Sequence, residues 1–210
     1  ITRSRLRLEQ LDVQTSWLGV QGSFELRSTT QLELGAQVLA TLKPGNSTPL
    51  QGTVNLDGTA KLMKFVVELQ QPQVAHVNAA LDLSQGWQLV GDFTAAQWQL
   101  TPWLENAAFS FTNPQLNFTM NDAGIHVVGD LLVPEWKTPT LHIDAQGKYA
   151  ARVITIEQAD VTAKQGSIAT RTEGSITLNE SASPTIDLHG NWRGLQWPLN
   201  AERNAAYFFS

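Results

Sequence analysis

At 210 residues the chain is long enough for one large β domain or two small ones, with a sizeable core in either case. Its charged fraction of 16% is well below the roughly 25% usual in soluble domains, its net charge is -5, and its one basic grouping is the alternating Arg3, Arg5 and Arg7, so a nucleic-acid partner lacks its electrostatic footprint. The absence of cysteine excludes disulfides, thiolate nucleophiles and every Cys-containing metal site.

No apolar run approaches the ~18 residues needed to span a bilayer as a helix. The opening Ile1-Thr2-Arg3-Ser4-Arg5 has neither an initiator Met nor a signal-peptide core. The expectation is a fragment or processed segment of something longer, with any targeting signal outside it.

Along the chain, the recurring pattern is apolar–polar alternation over short runs, the signature of strands with one buried and one wet face. In order, the runs are Val54-Asn55-Leu56, Leu81-Asp82-Leu83, Phe109-Ser110-Phe111, Leu116-Asn117-Phe118, Leu141-His142-Ile143-Asp144-Ala145, Ile154-Thr155-Ile156, Ile176-Thr177-Leu178 and Ile186-Asp187-Leu188. Turn-formers fall between them at Pro44-Gly45-Asn46, Asp57-Gly58, Asn121-Asp122-Ala123-Gly124 and Gln165-Gly166. Thr101-Pro102 offers a cap and first-turn proline for one short helix near 102–107. The stretch Gln31–Leu42 stays undecided, because Leu32, Leu34, Val38 and Leu39 fit neither the helical nor the strand period.

The chain also echoes itself. Leu11-Asp12-Val13, Trp17, Val20, Gly22 and Phe24 reappear as Leu81-Asp82-Leu83, Trp87, Val90, Gly91 and Phe93, with one residue fewer before the glycine. Gly91 through Leu100 likewise resembles Gly190 through Leu199 at Gly, Gln, Trp and Leu. Approximate repeats over 11–100 and 129–199 imply similar strand groups stacked on one another in an elongated array.

Catalytic constellations are absent from the sequence pattern. His76, His126, His142 and His189 occupy the polar phase of alternating runs, and their spacings match no zinc pattern. Asp144, Glu173 and Asp187 also lie on the wet phase, with no sign of the desolvation or pairing that acid–base work needs. There is no nucleophile elbow, phosphate-cradling loop or dinucleotide fingerprint. Neither a catalytic residue, a metal site nor a cofactor is expected. Asn46, Asn117 and Asn179 begin Asn-x-Ser/Thr triplets, which matter only in a secretory-pathway protein. Trp98, Trp103, Trp192 and Trp197 fall at strand ends or turns, where a ring can plug the end of a sheet layer or sit at a groove rim.

Residues 140–199 resemble a repeat of the AsmA-like superfamily, within it the TamB-like group. The likeness rests on Leu141-His142-Ile143-Asp144-Ala145-Gln146-Gly147, Ile154-Thr155-Ile156, Val161-Thr162-Ala163, Gly166-Ser167-Ile168, Gly174-Ser175-Ile176-Thr177-Leu178, Ile186-Asp187-Leu188 and the closing Trp192-Arg193-Gly194-Leu195-Gln196-Trp197-Pro198. Residues 51–100 are similar to a second, degraded copy, with Gln99 where the family has Pro. The resemblance implies an incompletely closed, U-shaped, β-taco-like sheet in the periplasm of a Gram-negative envelope, in a parent anchored in the inner membrane. It also implies phospholipid acyl chains as cargo, outer-membrane biogenesis as the setting and a TamA-like outer-membrane protein of the translocation and assembly module as partner.

The resulting expectation is an all-β, elongated, twisted, antiparallel-rich sheet that curls into an open apolar groove, with at most short helices. The expected function is a non-enzymatic segment of a lipid conduit. Its lining would be Val54, Leu56, Leu81, Leu83, Phe109, Phe111, Leu116, Phe118, Leu141, Ile143, Ile154, Ile156, Val161, Ile168, Ile176, Leu178, Ile186 and Leu188. Over 140–178 the lining phase is aliphatic, without the large aromatics that fill sandwich cores. On alternation alone, a closed β-sandwich is the expected architecture. A module that assists outer-membrane protein assembly by pairing its edge with unfolded strands is the alternative function.

Overall fold

The computed structural model describes residues 4–16, 18–28, 30–42, 48–99, 110–134, 140–151, 153–163, 169–177, 185–193, 196–197 and 207–208. Among them every regular element is a strand and there is no helix, so the fold is all-β. The chain divides into two units, Ile1–Thr94 and Ala95–Ser210.

The first unit is a meander of β1 (Ser4–Gln14), β2 (Leu18–Ser28), β3 (Leu32–Leu42), β4 (Leu50–Thr59), β5 (Leu62–Gln71), β6 (Ala75–Asp82) and β7 (Gln88–Thr94), each antiparallel to the next. Residues opposite one another in such a ladder project to the same side, so register fixes face. One row runs Leu11, Gly22, Val38, Val54, Val67, Val77, Phe93, and the next runs Leu8, Phe24, Ala36, Leu56, Phe65, Ala79, Gly91. A bulge between Leu8 and Leu11 moves the apolar phase of β1 from even to odd positions, keeping all four of its apolar residues on one face.

The undecided stretch is β3. Its Leu32, Leu34, Ala36, Val38, Ala40 and Leu42 alternate strictly once the two alanines are counted, and Leu39 alone is out of phase. Asp57-Gly58, expected as a turn, instead pairs within β4, and the reversal comes after Thr59. There the Thr59 hydroxyl accepts the Leu62 amide at 3.2 Å.

The second unit contains β8 (Gln97–Gln99), β9 (Ser110–Asn121), β10 (Gly124–Leu132), β11 (Leu141–Ala150), β12 (Val153–Ala163), β13 (Ala169–Thr177) and β14 (Thr185–Arg193). From β9 to β14 the strands pair antiparallel in chain order, while β8 pairs β9 on its own. A separate two-residue ladder joins β15 (Gln196–Trp197) to β16 (Tyr207–Phe208). The turn expected at Asn121–Gly124 links β9 to β10, and the Asn121 side-chain oxygen accepts the Ala123 amide at 2.9 Å. The helix expected near 102–107 and the turns at 44–46 and 165–166 fall outside the described residues.

Burial separates these sheets from a sandwich. In the first unit the buried described residues are Gly19, Gly52 and Ala75, none larger than a methyl group. A second protein layer would have buried the Leu, Val and Phe rows completely. The second unit has a small core, Leu131, Val133, Leu141 and Ala163, packed by Phe111, Ile143 and Val161 at one end of β10–β12. No pairing joins the first strand of either unit to its last among the described residues, so the strands of neither unit close into a barrel.

Gly22, Gly52, Gly58, Gly129, Gly147, Gly174 and Gly190 all occupy apolar-face positions, where a Cβ would fall 2.0–2.5 Å from a neighbouring strand's carbonyl oxygen. Kinks of this kind, with bulges such as those at Ile156/Ala159 and Gln146/Gly147, are what curve a sheet. Gly174 shows why a side chain is excluded: its φ is 144° and its Cβ would lie 2.1 Å from the Asp187 carbonyl oxygen. Gly174→Ala is expected to destabilise the chain by on the order of 2 kcal/mol. At polar-face Gly35 the nearest atom to a Cβ is 4.0 Å away, so Gly35→Ala should be nearly neutral. Urea midpoints of the two variants check the contrast.

Candidate functional site

The feature these folds build is one apolar face per unit, continuous in the first and interrupted in the second by Thr170 and Thr172. In the first, every cross-strand-paired position on that side carries Leu, Val, Phe, Met, Ala or Gly, except Ser4 and Ser28 at one end of β1 and β2. In the second, Leu116, Phe118 and Met120 of β9 meet Gly129, Val127 and Ile125 of β10, which continue to Ile143, Ala145 and Gly147 of β11. Across β12 and β13 the face holds Ile154, Ile156, Ala159 and Val161, then Ile176, Gly174, Thr172 and Thr170. Apart from the small core and Ala75, these side chains are half-buried or exposed, Leu6 to 55% and Leu32 to 43%. Apolar surface of this extent, left uncovered by the described residues, marks an interaction surface.

The expected lining divides cleanly. Val54, Leu56, Leu81, Phe111, Leu116, Phe118, Leu141, Ile143, Ile154, Ile156, Val161, Ile176 and Leu188 lie on these faces, and Ile186 is placed opposite Ile176 by backbone register. Leu83 lies one residue beyond β6 and is 42% exposed; its amide donates to the Lys61 carbonyl oxygen at 2.7 Å, while the Asp82 carboxylate accepts the Ser84 amide at 2.8 Å. Phe109, Ile168 and Leu178 fall outside the described residues.

Sequence reading missed β5, where Met63, Phe65, Val67 and Leu69 alternate with Lys64, Val66 and Glu68, and where Val66 blurred the signal. It also missed Tyr149, which pairs Ile154 and puts an aromatic on a lining expected to be aliphatic. Of the tryptophans, Trp98 pairs Phe111 and is half-buried, and Trp103 is outside the described residues.

The opposite face carries the charge. Arg5 and Arg27 both bond Glu25, at 3.0 and 3.1 Å to its Oε2, and Arg171 forms a two-pronged pair with Asp160 at 3.0 Å. His126 meets Asp144 at 2.8 Å, His142 meets Asp130 at 2.9 Å and His189 meets Glu173 at 3.1 Å. With His76 paired opposite Glu68, all four histidines sit on this face. Among the described residues no three His, Asp or Glu side chains converge as metal ligands. A cavity of about 260 Å³ has Thr119, Asn121, His126, Gln146 and Glu157 among its lining residues, and three of these are already engaged, Asn121 with the Ala123 amide, His126 with Asp144 and Glu157 with Lys148.

Fold and face together define a class: an open antiparallel meander, apolar on one side, charged on the other, with little protein core. Comparison with family models, with characterised proteins and with solved structures gave no match.

Hydrogen bonds from Arg27 and then Arg5 hold the Glu25 carboxyl at about 2, against an ordinary 4.5. Because folding lowers this pKa, the pair's contribution is complete above 4.5 and fades as pH falls through 2. Carboxyl NMR should place the Glu25 midpoint near 2 and show Arg27→Gln raising it. A midpoint at the ordinary glutamate value would contradict the geometry.

Proposed function

We propose that this chain is a non-enzymatic segment of an apolar conduit that carries phospholipid between the two membranes of a Gram-negative envelope, within a parent protein anchored in the inner membrane. The observation that carries this reading is the uninterrupted apolar face of consecutive strands, left uncovered by any second layer in the first unit. An acyl chain gains about 0.8 kcal/mol for every methylene it moves from water onto such a lining. Neighbouring rows of similar composition offer similar gains, so displacement along the face meets small barriers, and direction must come from elsewhere. The resemblance of residues 140–199 to the AsmA-like superfamily supports the same assignment, with a TamA-like outer-membrane protein as partner.

Capture of unfolded strands at a sheet edge is the competing reading. The edge available in the first unit is β1, which carries Arg5, Arg7 and Glu9 and a bulge beyond Leu8, features that discourage added strands.

Ile154 and Thr155 separate the possibilities, because they are adjacent and face opposite sides. A photo-crosslinking residue at Ile154 should capture phospholipid, and one at Thr155 should not. Ile154→Asp should fold, since its half-buried position lets the carboxylate reach water, yet lose lipid capture by a crosslinker at Ile176. In a closed core the same change would cost several kcal/mol and unfold the domain. Unfolding without lipid capture at either position would refute the conduit reading.

A further inference from the structure

Two threonines break the chemistry of the second unit's apolar face. Thr170 pairs Val161 and Thr172 pairs Ala159, so both hydroxyls stand beside the aliphatic side chains of β12, on a face that elsewhere also carries Phe118, Met120 and Tyr149. They are two residues apart on β13, a separation of roughly 6.6 Å along a strand. Both are half-buried, and neither hydroxyl has a hydrogen-bond partner among the described residues. Water satisfies them while the face is empty. An apolar occupant displaces that water and leaves two dewetted donors unless it brings acceptors of its own.

A plain hydrocarbon brings none. A diacyl glycerolipid brings two ester carbonyls close together at the head of its acyl chains, next to the methylenes that the surrounding Ala159, Val161 and Ile156 would cover. We infer that Thr170 and Thr172 are specificity-determining residues that hold the ester carbonyls of a diacyl lipid, an inference that rests on the lipid-conduit reading. They would make the second unit a place where a lipid pauses in a defined position, rather than a uniformly slippery lining.

The test compares two phospholipids with the same headgroup and chain length, one with ester-linked and one with ether-linked chains, each bearing a photoreactive terminal group. Both are titrated against the full 210-residue chain. The wild type should take up the ester lipid roughly tenfold more tightly than the ether lipid, because only the ester satisfies the hydroxyls. Thr170→Val with Thr172→Val keeps the β-branched shape that suits a strand and should abolish that preference by weakening ester binding alone. Thr170→Ser with Thr172→Ser should restore it. Equal binding of ester and ether lipid by the wild type, or a preference that survives the double Val change, would overturn the inference while leaving the conduit reading intact. Capture of neither lipid would overturn both.

Discussion

Strand phase is the constraint on which the rest of this structure depends. A one-residue slip between neighbours turns a whole set of side chains over, so an apolar face can continue from strand to strand only if every register agrees. Here the bulges do the reconciling. Leu6 and Leu8 occupy even positions and Leu11 and Val13 odd ones, yet the irregularity between them keeps all four opposite Leu26, Phe24, Gly22 and Val20. On β12 the same happens between Ile156 and Ala159, with Ile154 and Ile156 before the shift and Ala159, Val161 and Ala163 after it. Without those extra residues, half of each strand would present its Leu, Val or Ile residues to the charged side.

From phase follow both the surface and its opposite. Charges gathered on one side pair locally, as in Arg5–Glu25–Arg27 and Asp160–Arg171, and keep that side wet. Apolar side chains gathered on the other shield one another within rows but, among the described residues, find no second layer in the first unit. Full cover of a Val, Leu or Phe side chain is worth about 1.5–3 kcal/mol, and these side chains realise part of it. The remainder is available to an occupant. Kinks at Gly147 and Gly174, flanking Ile156 in register, bend the face where the bulge also lies.

Much of this was legible in the sequence, because alternation is a direct image of the two faces. The all-β fold and the apolar-face placement of most residues from Val54 to Leu188 follow from that image, whereas the openness does not, since alternation alone points to a closed sandwich. What escaped has specific causes. Alanine carries little hydrophobic weight, so Ala36 and Ala40 hid the period of β3. A glycine after an aspartate reads as a turn, but Gly58 kinks a strand that continues to Thr59. The repeated Val20 and Val90 stand on opposite faces, while Gly22 with Gly91 and Phe24 with Phe93 share one, as the missing residue in the second copy requires. Bulges leave no signature in composition, so the runs Ile154–Ile156 and Val161–Ala163 could not be recognised as one strand.

If lipid rather than protein finishes these apolar faces, native mass spectrometry of the chain, purified without detergent from cells that supply phospholipid, should detect it. The expected species is a monomer carrying phospholipid, released on activation as intact diacyl lipid. A folded, lipid-free monomer that stays soluble and takes up no added phospholipid would contradict it.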